Sequence, residues 1–286
     1  MATQTGAAVG QSAADYPDPS YAIAAGLYAA ALLTPAIVLV LSSVLSGAAV
    51  LYLSFLGVVA SIAIVAGWSV SRIRGLAVSL GGSSTVWLLA ALPLVWSVGV
   101  FGSSAIGWEV PDIAAPLAVV GTGGGCFLGL VLVALSRSRY ATAVLADSEE
   151  FAQWEARWPR RWRYLSVAGM VVAMTVGGVG ILVQFAFGID WAGSLYYLLF
   201  IWTPLAGAVN PRTFRVTAAG LVVERSPLRR LRPWSAFKGY TLTTDALIIQ
   251  TAAWWCPAYR SDREDIDEDE LDTLVASLDE LLTSRE

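Results

Sequence analysis

The pattern of hydrophobic and polar positions divides the chain into two regions. Between residues 20 and 209 it consists of long apolar runs, each close to the ~20 residues with which a helix crosses the hydrocarbon core of a bilayer. These runs predict six membrane-spanning helices that pair as three hairpins. The predicted spans are residues 20–45, 48–70, 76–101, 113–136, 164–187 and 191–209.

The same pattern predicts three parts in the chain. Residues 1–19 are small, polar and punctuated by proline, which is typical of a disordered tail, here on the cytoplasmic side. Residues 20–209 form the predicted six-helix transmembrane domain, whose inner link at 137–163 is expected to be interfacial. Residues 210–286 alternate between apolar and polar positions and end in a leucine stripe, which predicts a small cytoplasmic β domain capped by an amphipathic helix.

Charge fixes the orientation of these predicted spans. All 18 basic residues fall in the inner links or the C-terminal domain, whereas the outward links contain only the acidic residues Glu109, Asp112 and Asp190. Lys and Arg concentrate on the cytoplasmic side of membrane proteins. We therefore expect a multi-pass protein of the cell membrane with both termini in the cytoplasm.

The longest inner link carries a tryptophan at every fourth position, with arginines in between. In a helix these residues would form a stripe suited to the headgroup level of a bilayer. We expect a short interfacial helix near residues 147–157, followed by a turn into the fifth span at Pro159. Ordinary anchoring of helix ends by Trp and Arg is the alternative. The predicted interfacial anchors are Trp154, Arg157, Trp158, Arg161 and Trp162.

The predicted spans contain almost no ionisable side chain, and Gln184 is their strongest polar group. Proton coupling through carboxylates, intramembrane aspartyl proteolysis and arginine voltage sensing therefore lack their residues. Glycines at small-xxx-small spacing instead predict helices that approach closely, within one chain or between copies. The predicted packing positions are Gly121, Gly125, Gly129 and Gly177.

Composition argues against an enzyme. The chain contains no histidine, which excludes histidine bases, ligands and nucleophile pairs, and its two cysteines, Cys126 and Cys256, lie in different regions. We expect no cofactor, no metal site and no catalytic residue. A membrane enzyme would have to use Glu109, Asp112 and Asp190, which are more typical of solvated loops.

The C-terminal segment 212–286 carries a family resemblance. Strands are expected at TFRVT, LVVERS, YTLTT, ALIIQT and AAWWC, with SPLRR as a loop, Trp234 and Phe237 as buried residues, and a final leucine helix. The run F-x-V-T-x-x-G-L-V-V, then P-W-S-A-F-K-G-Y and A-L-I-I, resembles the bacterial pleckstrin-homology-like domains of the YcxB-like class. The segment is short for that fold, so one strand is expected to be missing or minimal. The resemblance implies a cytoplasmic interaction module on a membrane anchor.

This segment is also sorted by charge. Residues 212–238 hold seven basic residues and one acid, whereas residues 239–286 hold three basic and twelve acidic residues. The arginines either contact anionic headgroups or a partner, or they merely extend the positive-inside bias. Nucleic acid is not an expected partner, because the domain is net acidic. The candidate contact residues are Arg225, Arg229, Arg230, Arg232 and Trp234.

Two functions follow as hypotheses. The first is a non-enzymatic membrane anchor, scaffold or regulatory protein whose C-terminal domain binds a protein partner or itself, with the lipid bilayer as its surroundings. The second is a transporter or channel subunit for a neutral solute, with a polar cavity lined by Tyr28, Thr34, Ser61 or Gln184. The arginine-rich, lysine-poor and acidic composition resembles proteins of salt-loving archaea, although a GC-rich genome alone also produces this arginine bias.

Overall fold

The structure is a computed structural model that describes residues 19–198, 210–225, 227–254 and 256–283. The chain divides into two compact units, Met1–Ala146 and Asp147–Glu286. Residues 1–18 of the predicted N-terminal tail, 1–19, and most of the sixth predicted span, 191–209, lie outside the described residues, and Pro19 already belongs to the first helix.

The first unit is helical. Its helices are α1 (Pro19–Ser42), α2 (Ala48–Ser71), α3 (Leu76–Gly82), α4 (Leu88–Ala91, preceded by a 3-10 turn at Ser84–Trp87), α5 (Leu94–Ala105) and α6 (Ala114–Asp147). Helices α1 and α2 form an antiparallel hairpin around the short link near Gly47. Their near-continuous apolar sequence and the large side chains exposed along both helices are the features of a membrane hairpin.

The described residues contain four or five helices that could span a membrane. Among the described residues, four helices are long and apolar enough to cross a membrane: α1, α2, α6 and, in the second unit, α7 (Arg160–Phe187). The third predicted span, 76–101, is broken, since Ser84–Ala91 and Leu94–Ser103 meet at 46°. Pro93 lies at this break and lacks the N–H that a continuous helix requires. Counting the bent pair as one span gives five, and a sixth remains a prediction.

Glycines of α6 lie at close approaches between helices of the first unit. Gly125 faces the ring of Pro93, and a Cβ at Gly129 would collide with the carbonyl of Leu89, four residues before that proline. Proline cannot donate the backbone hydrogen bond that this carbonyl would receive in a helix. Glycine therefore lets α6 approach the break at Pro93, and one turn earlier Gly121 faces the ring of Pro35 within the continuous helix α1.

The second unit combines helices with two antiparallel sheets. It contains β1 (Glu150–Ala156), α7 and the short α8 (Asp190–Gly193), which a 3-10 turn follows. The strands β2 (Arg212–Thr217), β3 (Gly220–Arg225) and β4 (Leu228–Arg232) continue the first sheet in the order β1-β2-β3-β4. The second sheet is β5 (Phe237–Leu242), β6 (Ala246–Thr251) and β7 (Tyr259–Asp262), and the last helix is α9 (Glu268–Thr283). Gly177, the fourth predicted packing glycine, is buried in α7.

The predicted interfacial helix near 147–157 was wrong. Residues 137–147 extend α6, and residues 150–156 form strand β1, which pairs antiparallel with β2. Helix α6 has 34 residues and is about 50 Å long, which exceeds the thickness of a hydrocarbon core by roughly 20 Å. The sheet of the C-terminal domain therefore begins sixty residues before the predicted boundary at 210, because its first strand precedes α7.

The β domain has one apolar core. Its centre is aromatic, with Trp154 stacked on Phe214 at 5.0 Å between ring centroids, and Tyr259 edge-on to Phe214 at 6.2 Å. The predicted leucine stripe of α9 covers this core, which confirms the amphipathic helix. The buried members are Trp154, Ala156, Phe214, Val216, Leu221, Val223, Trp234, Phe237, Leu247, Ile249, Ile266, Leu271, Leu274 and Leu278.

Two local predictions in this domain need correction. The segment SPLRR was expected to be a loop, but Leu228–Arg232 is strand β4. The segment AAWWC was expected to be a strand, but the described residues of 252–256 form bends and a turn, and the last strand is β7. In both places the turn-forming residues lie next to a strand. Pro227 precedes β4, and the bends and turn at 252–254 follow β6.

Candidate functional site

Strand β1 determines where the chain enters α7. Ala156, the last residue of β1, is the register partner of Arg212, the first residue of β2. Residues 157–211, which include α7, are therefore inserted between two paired strands of one sheet. We call the end of the four-stranded sheet at which Ala156 and Arg212 lie the insertion end. It also contains Arg225 and Leu228, which are partners across β3 and β4.

Only three residues, 157–159, separate β1 from α7, and the chain after β7 holds them in place. The N–H of Arg157 donates to Oδ2 of Asp265 at 2.8 Å, and its carbonyl accepts from the N–H of Asp262 at 2.9 Å. Arg160, the first residue of α7, forms an ion pair with Glu264 at 2.6 Å. The start of α7 is thus attached to the β domain through backbone and side-chain contacts.

Arginine and tryptophan alternate around the same point. The guanidinium carbon of Arg212 lies 5.3 Å from the ring centroid of Trp158, and that of Arg260 lies 5.6 Å from the ring of Trp162. The two indoles meet edge to face at 6.3 Å. Trp162 is exposed and Trp158 is half-buried. Amphipathic rings beside cations are typical of side chains at the headgroup level of a bilayer.

Trp154 is the predicted interfacial anchor that the structure places elsewhere. Its side chain is 3% exposed, it stacks on Phe214, and its Nε1–H donates to Oγ of Ser261 at 3.3 Å. Burial in the sheet core excludes contact with headgroups, so the prediction for this residue was wrong. The other four predicted anchors lie in the three linking residues or in the first turn of α7, where Arg161 is exposed.

The sheet separates the arginines that the sequence groups together. Residues alternate between faces along a strand, and cross-strand partners share a face. Arg230 is the partner of Val223 and Arg232 that of Leu221, so both lie on the core-facing side, beyond its apolar centre. Arg229 is the partner of Glu224 and lies on the opposite face.

Arg229 is part of a charged network on that opposite face. Oε1 of Glu224 lies 2.9 Å from Nε of Arg229 and 3.3 Å from Nε of Arg215, and Arg215 also reaches Glu150 at 3.0 Å. The side chain of Glu224 is only 16% exposed. This network ties β1, β2, β3 and β4 together, and its carboxylates compensate the charge of Arg229.

Two further arginines turn toward the aromatic core. The guanidinium carbon of Arg232 lies 5.6 Å from the ring centroid of Tyr259. Burial, reinforced by the neighbouring charge of Arg225, lowers the pKa of Arg212 from its ordinary value. Arg225 and Arg230 are exposed. Of the arginines on the core-facing side, Arg212 and Arg232 are partly buried, whereas Arg225 and Arg230 are exposed.

Trp234 is a core residue and cannot contact lipid or a partner from its observed position. It is 2% exposed, packs on Phe237 with 5.8 Å between ring centroids, and donates its Nε1–H to the carbonyl of Thr217 at 2.9 Å. Its prediction as a buried residue is confirmed, and its prediction as a contact residue was wrong.

The sequence contained a signal for β1 that the tryptophan spacing obscured. In EFAQWEA, Ala152, Trp154 and Ala156 alternate with Gln153 and Glu155, which is the period of a strand with one buried face.

No family model, curated protein or solved structure matches the chain.

Proposed function

We propose that the chain is a non-enzymatic integral membrane scaffold that holds its β domain against the cytoplasmic surface of the cell membrane. The domain binds a protein partner or a second copy of the chain. The insertion of α7 between the paired strands β1 and β2 carries this proposal. A domain on a flexible tether samples many distances from the bilayer, whereas this domain is attached through three residues and several polar contacts.

The strand pairing also supports the proposed topology. Since Ala156 and Arg212 are partners in one sheet, they lie on the same side of any membrane. The chain between them must then cross the bilayer an even number of times. If α7 crosses once, the return crossing belongs to the predicted span 191–209. Together with four crossings before β1, this would give six spans with both termini on one side of the membrane, and the arginine distribution supports the cytoplasmic side.

The architecture of the β domain favours the pleckstrin-homology-like assignment. The segment 212–286 alone is one strand short of that fold. The described residues form sheets of four and three strands with a C-terminal helix, and β1 supplies the strand that this segment lacks. The domain is then an interaction module interrupted by its own membrane hairpin.

The transport hypothesis receives no specific support from the residues on which it depends. Thr34 lines a cleft of about 220 Å³ whose walls are otherwise mostly apolar, and Ser61 lines a different cleft. Tyr28 packs in an apolar cluster with Tyr21, and Gln184 lies against Gly193 in the second unit. Thr34 and Ser61 thus line separate clefts, and Tyr28 lies in an apolar cluster.

The pairing of β1 with β2 determines which truncated protein can test the scaffold function. Deleting 212–286 would leave β1 without its partner, so loss of binding would be uninformative. A soluble domain is better made by replacing residues 157–211 with Asn-Gly. This two-residue loop suits the β-hairpin that then joins Ala156 to Arg212. We expect this domain, in excess, to displace the chains that co-purify with the full-length protein in mild detergent. A protein that purifies without partner, forms no cross-linked dimer and transports a neutral solute in liposomes would contradict the proposal.

A further inference from the structure

We infer that the turn between β3 and β4 docks on the anionic headgroups of the bilayer that α7 enters, through Arg225, Leu228 and Arg230. This inference rests on the membrane insertion of α7 proposed above. It goes beyond the scaffold function because it names a lipid-contacting surface on the β domain.

The position of the turn follows from the strand register. Arg212 and Ala156 mark the insertion end of the sheet, and Arg225 and Leu228 lie at the same end on the next two strands. Neighbouring strands are about 4.8 Å apart, so the turn lies roughly 10 Å to the side of β2. It is therefore at the level at which Trp158 and the first turn of α7 meet the interface.

The chemistry of the turn suits a headgroup layer. Leu228, the first residue of β4, is 38% exposed, although it is an apolar residue on a small domain with a well-formed core. Arg225 and Arg230, which flank it, are exposed cations. An apolar side chain between cations gains from partial insertion and from attraction to anionic lipids. The turn at the far end of the same sheet contains Ala218 and Ala219 and carries no charge.

The inference also states which arginines do not take part. Arg229 lies on the opposite face and shares Glu224 with Arg215. Arg232 faces the ring of Tyr259 and lies at the far end of β4. The face of each residue and its distance from the insertion end, not its membership of the basic stretch, decide whether it reaches the bilayer.

The test places an environment-sensitive fluorophore on the full chain in lipid vesicles. In a background with Cys126 and Cys256 replaced by alanine, single cysteines are introduced as Leu228→Cys, Ala218→Cys and Val172→Cys. The vesicles consist of neutral phosphatidylcholine with or without phosphatidylglycerol. We expect headgroup-depth emission and quenching by nitroxide-labelled headgroups at position 228, aqueous emission at 218, and hydrocarbon-depth emission at 172 in the exposed middle of α7.

Charge variants decide whether the arginines act as inferred. Arg225→Gln and Arg230→Gln should each lower the equilibrium constant for contact with the headgroups by up to about fivefold, in anionic vesicles only. The quenching at position 228 should weaken accordingly. Arg229→Gln removes the same charge from the opposite face and should leave the quenching unchanged. Equal effects of the Arg229 and Arg230 variants would overturn the inference.

The position-172 probe separates the two proposals. Aqueous emission at 172 would show that α7 is not inserted, and the proposed function would fail with it. Hydrocarbon emission at 172 together with aqueous emission at 228 would overturn only the inference and leave the turn available to a protein partner. Identical quenching at 228 in neutral and anionic vesicles would also overturn it.

Discussion

Replacing Trp154 by alanine distinguishes a strand that belongs to the β domain from a helix that lies on the membrane. The indole is 3% exposed, and a buried Trp removes about 150–250 Å² from water. At about 25 cal/mol per Å² this burial is worth about 4–6 kcal/mol, and Trp→Ala substitutions in cores cost about 3–5 kcal/mol. Loss of the hydrogen bond to Ser261 falls within that range.

The measurement is urea unfolding of the soluble domain in which Ala156 is joined to Arg212. Small domains have m-values of about 1–3 kcal/mol per M in urea. A loss of 3–5 kcal/mol should therefore lower the urea midpoint by about 2 M. This loss is a large part of the roughly 5–15 kcal/mol that stabilises a typical domain. The expected result is near-complete loss of the folded domain in moderate urea.

Trp254→Ala provides the matched control, because it removes the same side chain from a position inside this soluble domain where the ring is 90% exposed. This surface substitution should cost no more than about 1 kcal/mol. If the two variants had equal midpoints, Trp154 would not be a core residue, and the assignment of β1 to the sheet would have to be abandoned.

Three further substitutions test packing, charge and titration. Gly129→Ala should lower the melting temperature of the detergent-solubilised chain, because a Cβ would collide with a backbone carbonyl, whereas Gly123→Ala, at a position with open space, should not; equal melting curves would refute the close packing. Glu224→Gln should destabilise the soluble domain by about 1–3 kcal/mol, less at high salt, since it removes the carboxylate shared by two arginines; an unchanged urea midpoint would contradict this. Burial, followed by the hydrogen bond to Asp279, raises the pKa of Tyr240. Its stabilising contribution is thus present below about pH 10 and is lost as the pH rises through the folded-state pKa, and Asp279→Asn should move its tyrosinate absorbance to lower pH.

The sequence was sufficient where the signal is local. Apolar runs predicted α1 and α2 within a few residues, and the leucine period predicted α9. The sequence was insufficient where the partner is distant. Strand β1 pairs with β2 across an inserted helix, and no local period indicates such a partner. Tryptophans four apart fit a helix as well as they fit a strand and its adjoining turn.

The candidate site was predicted in composition but not in arrangement. The stretch 225–232 was recognised as basic, but its residues were treated as one group. A strand sends successive side chains to opposite faces, so Arg229 and Arg230 have different surroundings. Only the register shows that Arg229 meets Glu224 and that Leu228 lies at the insertion end.

The register pairing of Ala156 with Arg212 has a consequence for how the protein is made. Strand β1 leaves the ribosome before the segment that separates it from β2, so under the proposed topology the β domain closes only after the intervening chain has crossed the bilayer and returned. A correctly inserted hairpin brings the two strands together and removes most of the entropy cost of closing so long a loop. A hairpin inserted the wrong way leaves them on opposite sides, with the apolar face of each strand exposed. Under that topology, completion of the β domain would report on the success of membrane insertion.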